Sequence, residues 1–197
     1  MNVALGMRRN GLPALLVAVG MTLTLGFGWD YFQQIVGLGH RPVPAYRAGS
    51  SRHRWPVRPA IGTGIGVLNI PAIHLTAPII QGTGAAQLRE GVGHAPDTAL
   101  PGQGSNVFLA GHRDTVFRAL GRIHTGDVVT FDTLYGKFVY QVTFSQVVTQ
   151  YDTQVMKPTP QETLTLMTCY PFLFFGFAPD RYIVHAKLLS APAGNAR

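Results

Sequence analysis

The sequence holds a single cysteine, Cys169, so no disulfide can form within the chain and stability must come from a packed core. It is also poor in acid: nine Asp and Glu stand against 16 Lys and Arg, for a net charge of +7. The nine acids form no cluster, which argues against a carboxylate calcium site. The histidines show neither H-x-x-x-H nor Cys-paired spacing, which argues against zinc. No metal and no cofactor are therefore expected. The excess of positive charge does not mark a nucleic-acid binder either. Arg8, Arg9, Arg41, Arg47, Arg52, Arg54 and Arg58 all precede residue 60, several of them among prolines, and no zinc finger, basic helix or single-strand-binding aromatic motif accompanies them. Repeats of solenoid or propeller length are missing as well, as is any long amphipathic helical pattern.

What the chain does have is 46% hydrophobic residues, 23 Gly and 14 Pro, enough for a core threaded by many turns. Residues 10–29, NGLPALLVAVGMTLTLGFGW, carry no charged side chain. Twenty helical residues rise about 30 Å, the hydrocarbon thickness of a bilayer. Trp29 and Tyr31 suit an interfacial belt. A cleaved signal peptide would need a small-residue A-x-A site, and the apolar run meets Gly28, Trp29 and Asp30 instead. The expectation is an uncleaved single-pass anchor at 10–29 behind a short N-terminus at 1–9. Arg8 and Arg9 favour an inside N-terminus, but Arg41 and Arg47 on the other flank nearly balance them. Residues 30–60, with Pro42, Pro44, Pro56 and Pro59 among arginines, read as an extended spacer. The competing reading is an ordered strap packed on the domain that follows.

From 61 to 190 the pattern is β. Short apolar or alternating runs at 66–70, 106–110, 128–131, 138–144, 164–168 and 182–188 are separated by Gly, Pro, Asp and Thr clusters. Residues 84–92 can hold one short helix, and 191–197 form a tail. The fold class is all-β, a barrel or a sandwich.

Three side chains stand at predicted strand ends, where a rigid scaffold leaves them reachable. NVFLAGHRDT turns at Gly111 and presents His112; LTLMTCY ends on Cys169; Arg181 opens RYIVHAKL. A nucleophilic thiol needs a base or cation that favours thiolate, and imidazole serves as base and later as acid. An acyl-transfer intermediate also needs donors where the oxyanion develops, a task that suits a permanently charged planar guanidinium. The set is chemically complete, although spacing alone does not bring its members together.

AGH at 110–112, TLMTC at 165–169 and the Arg181 that follows resemble the sortase signature in its order of His, Cys, Arg. IPAIHLTAPIIQGT (70–83) and GVGHAPDTALPGQGSNVFLAGHRD (91–114) are similar to sortase sequence, so the likeness covers about residues 64–189. The CYPF run and the short spacing to Arg181 look most like class D. The resemblance implies an eight-stranded sortase-type β-barrel with short helices, here preceded by one N-terminal transmembrane helix. It implies that Cys169 attacks an LPxTG-like sorting signal to form a thioacyl-enzyme. His112 is then acid and base, and Arg181 holds substrate or oxyanion beside the Tyr170 backbone N–H. Thr168 lines the peptide groove. The implied partners are secreted proteins bearing such signals and a peptidoglycan-precursor amine as acceptor. That acceptor places the catalytic domain outside the cell membrane and the N-terminus in the cytoplasm. No second apolar segment near the C-terminus and no inserted lid are seen, against a pilin-polymerising subtype.

Two other classes compete. Envelope cysteine enzymes of the L,D-transpeptidase or NlpC type place His shortly before Cys in one segment, or Cys before His. A non-catalytic envelope-binding barrel has little need of all three residues. Among the remaining features, His94 reads as a structural loop histidine. The aromatic run from Phe172 to Phe177 reads equally as groove wall, core or membrane-facing loop.

Overall fold

The computed structural model describes residues 15–26, 28, 55–173, 176 and 178–192. The chain divides into two units, Met1–His40 and Arg41–Arg197. In the first, residues 15–26 form helix α1, with large apolar side chains such as Leu16, Met21 and Leu25 exposed. Thr22 and Thr24 donate their hydroxyls to the carbonyls of Ala18 and Gly20, one turn back. Among the described residues no helix is long and apolar enough to cross a membrane. Part of the expected anchor, 10–14, 27 and 29, lies outside the described residues, as do 1–9, 30–54 and 193–197.

The second unit is a closed barrel of eight strands in the order β1-β2-β3-β4-β7-β8-β6-β5. The strands are β1 (Gly64–Ile70), β2 (Leu75–Gln81), β3 (Val92–His94), β4 (Asn106–Ala110), β5 (Val128–Thr133), β6 (Gly136–Thr149), β7 (Thr163–Tyr170) and β8 (Asp180–Ser190). Two pairs are parallel, β2 with β3 and β4 with β7, and the rest are antiparallel. A parallel pair needs a crossover, and α2 (Ala85–Glu90) supplies the one from β2 to β3 within the 84–92 segment expected to hold a helix.

Alternation builds the interior. Phe138, Tyr140 and Val142 of β6 point inward and are buried with Leu164 and Leu166 of β7, Val184 of β8 and Phe131 of β5. Closure removes every free edge. The Tyr140 hydroxyl is kept off apolar surroundings by donating to Glu162 at 2.8 Å.

The spacer expected over 30–60 ends earlier than its composition implies. Trp55 is buried, donates Nε1–H to the carbonyl of Pro101 at 2.9 Å and sets its ring edge-on to Tyr135. Arg58 donates to the carbonyls of Pro96 and Thr98. At least from residue 55 the chain is therefore a strap packed on the barrel, because an indole buries more apolar surface than a linker leaves exposed.

Candidate active site

The outer face of β4, β7 and β8 carries the site. Side chains alternate along β7: Leu164 and Leu166 join the interior core, while Met167 packs with the outward cluster of Ala95, Phe108, Ala110, Val155 and Ile183. Cys169 follows Met167 on that outward face, half-buried and unpaired with any other cysteine. In the antiparallel register of β7 and β8, Cys169 lies directly opposite Arg181, so the two side chains share one face.

His112 arrives from the other side. The parallel ladder of β4 and β7 pairs Ala110 with Met167. One step on, Gly111 N–H donates to the carbonyl of Met167 at 3.1 Å, and the Thr168 hydroxyl donates to the carbonyl of Gly111 at 2.8 Å. A further step on each chain reaches His112 and Cys169. Gly111 is required there because a Cβ would lie 2.6 Å from the ring of Phe117 and 2.8 Å from Val116. The Phe117 N–H then donates to the carbonyl of His112, closing the turn behind it.

Arg181 is anchored at one end. Its Nη1 donates to the carbonyls of Ala178 and Asp180 at 3.0 and 2.8 Å. Neither Nε nor Nη2 is hydrogen-bonded to a described residue, which leaves three N–H donors of the guanidinium fork for another group.

The two residues expected to touch substrate differ. Thr168 is 1% exposed and faces the barrel interior, so it does not line a groove; a hydroxyl buried to that degree must bond internally, and this one holds Gly111. Tyr170 is half-buried opposite Asp180, its ring packed with those of Phe172 and Tyr182. Of the aromatic run, Phe172 packs against the core and beneath Gly121, Leu173 is exposed, and Phe174, Phe175 and Phe177 lie outside the described residues.

One contributor escaped the sequence reading. Arg113 donates Nη1 to the carbonyl of Pro171 at 3.1 Å and Nη2 to that of Gly176 at 2.9 Å. The side chain next to His112 thereby grips the segment joining Cys169 to Arg181. Its place beside the histidine in GHRD was the only available signal.

His94 is buried and structural. Nε2 faces the Ala99 carbonyl and Nδ1 the Gln81 amide, each at 2.8 Å. Burial lowers its pKa to about 4, against the pull of the Ala99 carbonyl and with a smaller push from Arg58. A neutral ring donates only once. With Nε2–H on Ala99, the Gln81 amide serves best with its NH2 turned to Nδ1, which also gives a partner to the otherwise unpartnered Gln81 Nε2.

A closed eight-stranded barrel with a thiol, an arginine and a histidine loop at adjoining strand ends has known counterparts. The sortase domain family model matches residues 68–189. Sortase D of Bacillus subtilis (strain 168) is 38% identical over 138 residues, covering 70% of each chain. The solved structure of Clostridium perfringens Sortase D5 transpeptidase aligns with a TM-score of 0.61 at 32% identity, covering 66% of this chain and 82% of that one. A sortase A of Actinomyces oris aligns with a TM-score of 0.61 at 30% identity, covering 67% and 83%. A Clostridium perfringens sortase C with the C-terminal cell wall sorting motif aligns with the same TM-score at 27% identity, covering 67% and 74%. This chain belongs to the sortase family, the cysteine transpeptidases, and its likeness is to class D.

Proposed function

We propose that this sortase cleaves an LPxTG-like C-terminal sorting signal and transfers the protein bearing it to an amine of the cell envelope. The single observation that carries the residue assignment is the opposition of Cys169 and Arg181 across β7 and β8, with the Gly111 turn hydrogen-bonded to Thr168 between them and His112. The sulfur of Cys169 attacks the scissile carbonyl. The C–N bond breaks, His112 protonates the departing amine, and a thioester remains. An incoming amine then attacks that thioester, gives its proton to His112 and releases the thiolate. Arg181, held by one nitrogen, has donors left for the oxyanion or for a substrate carbonyl. A solved sortase C with the sorting motif supports the substrate class.

The acceptor we assign is an amine of a peptidoglycan precursor, which requires a catalytic domain outside the membrane and an N-terminus inside. Residues 10–29 are read as the anchor. The exposed apolar side chains of α1 fit that role, and the back-bonded hydroxyls of Thr22 and Thr24 meet what hydrocarbon requires of polar groups.

Transfer rather than hydrolysis is the test. A thioester is an activated acyl group, and an amine attacks it more readily than water does. Mass spectrometry of a sorting-signal peptide with added amines is expected to show a new amide, and Cys169→Ala to show none, because no second nucleophile replaces the thiol. Hydrolysis alone across all amines, or near-normal turnover by Cys169→Ala, rejects the proposal.

A further inference from the structure

Beyond the thiol, the outer face of the barrel holds a cavity. β7 and β8 present a ladder of outward pairs: Cys169 with Arg181, Met167 with Ile183, Thr165 with His185, Thr163 with Lys187. The last two rungs, with Phe144 of β6 and the segment through Lys157 and Thr159, line a pocket of about 400 Å³. It begins four residues along β7 from Cys169, roughly 13 Å at about 3.3 Å per residue. Val155, packed in the cluster with Phe108, Ala110 and Ile183, lies at its near end, and none of His112, Cys169 and Arg181 lines it.

The lining specifies a ligand by what it offers and what it lacks. Lys157 and Lys187 contribute two cations, and among the described residues no carboxylate lines the pocket. Neither lysine forms an ion pair with a described residue. The neighbouring acid, Glu162, is occupied by the Tyr140 hydroxyl and by the N–H groups of Gly102 and Gly104. The hydroxyls of Thr143 and Thr159 have already donated, to the His185 and Gln161 carbonyls, while that of Thr165 is buried on Asn106 Oδ1 and out of a ligand's reach. The remaining capacity of Thr143 and Thr159 is to accept. Burial lowers the pKa of His185; its Nε2 faces Gln146 at 3.1 Å, and no described residue bonds Nδ1. Phe144 stacks one face on His185, with centroids 4.4 Å apart, yet stays 50% exposed. A matching ligand brings an anion for the lysines, O–H donors for the threonine oxygens and a ring with an apolar face for Phe144. A simple carboxylate such as acetate meets the first demand but not the other two.

We infer that this pocket binds an acidic saccharide, with Lys157 and Lys187 on its anionic group and Phe144 under its ring. The test reads binding rather than turnover. Saturation-transfer NMR on the full chain in detergent micelles compares methyl β-D-glucuronide with methyl β-D-glucoside, which differ in the carboxylate. The glucuronide is expected to bind about ten-fold more tightly, the sum of two exposed ion pairs, with the strongest transfer at ring protons. Lys157→Gln with Lys187→Gln is expected to erase that preference, and Phe144→Ala to weaken ring-proton transfer; all three side chains line the pocket at the surface, so the core is left intact. Equal binding of the two glycosides, equal binding of acetate and glucuronide, or binding indifferent to these substitutions in a protein of unchanged Tm would each overturn the inference.

Discussion

Along β7, Leu164 and Leu166 are fully buried in the barrel, while Met167 and Cys169, on the opposite face, remain half-buried in reach of solvent. Eight consecutive residues thus serve two purposes, divided only by the two-residue period of a strand. A slip of one residue would move the thiol into the core. The register is held against that slip from both sides: Gly111 N–H on the Met167 carbonyl and Thr168 on the Gly111 carbonyl from β4, and the long antiparallel ladder from β8. The inward face therefore sets where the outward face stands, and the two faces fail differently when altered.

The largest failure on the outward face apart from loss of the thiol itself concerns Arg181. Arg181→Lys keeps the charge but cannot both hold the carbonyls of Ala178 and Asp180 and present a planar fork. Loss of oxyanion donors costs roughly 100- to 1,000-fold in turnover. The variant is expected to fold, to be alkylated at Cys169 as before, and to lose transpeptidation on that scale. Retention of more than about a third of wild-type kcat/KM, far above that penalty, would leave Arg181 a strand residue and the oxyanion to backbone N–H groups.

Inward changes should appear as stability. Leu166→Ala opens a cavity in a site that is fully buried, and such truncations cost about 2–5 kcal/mol. Denaturant melts should show that loss, while Cys169 labelling at temperatures where the variant is folded stays near wild type. A proportional loss of both would mean that the two faces are not separable.

Thr168 lies on the boundary between these behaviours. Thr168→Val leaves the buried Gly111 carbonyl without its hydroxyl partner, at a cost of about 1–3 kcal/mol. Because that carbonyl belongs to the turn bearing His112, kcat is expected to fall while KM holds. An unchanged kcat would restrict Thr168 to packing.

How much of this was legible beforehand follows the same division. The six expected strands all lie within observed ones, because each alternates or forms a compact apolar run. β2 and β3 were not read. Pro78 interrupts LTAPIIQ, and a proline argues against an interior strand. It is tolerated because Pro78 pairs only with β1, the β3 ladder starting at Ile79. β3 is three residues long, too short for any period to show. The candidate catalytic set was readable as residue types, but the neighbours that hold it were not. Thr168 was expected in the groove from the sortase resemblance, and alternation turns its side chain away from the face that carries Cys169. The grip of Arg113 on the segment after Cys169 spans 58 residues to Pro171, a long-range contact that local pattern does not encode. Trp55 was hidden by its setting among Pro and Arg.

The smallest predicted effect belongs to the interior as well. His94 has no exposed surface, and its pKa of about 4 lies below the ordinary 6.5. The unfolded chain therefore takes up the proton first as pH falls. The native contribution is complete above about pH 6.5 and is lost as pH drops towards 4, reaching about 3 kcal/mol when both states are protonated. Between pH 7 and pH 6 only the start of this loss appears, somewhat under about 1 kcal/mol. Other groups titrate too, so the comparison needs His94→Gln, which can still donate to the Ala99 carbonyl but carries no proton equilibrium. Urea melts at the two pH values are expected to show the wild type losing more stability than the variant by that amount. Equal losses would mean that the ring does not stay neutral in the fold, and that the Gln81–His94–Ala99 chain accommodates an imidazolium between two acceptors.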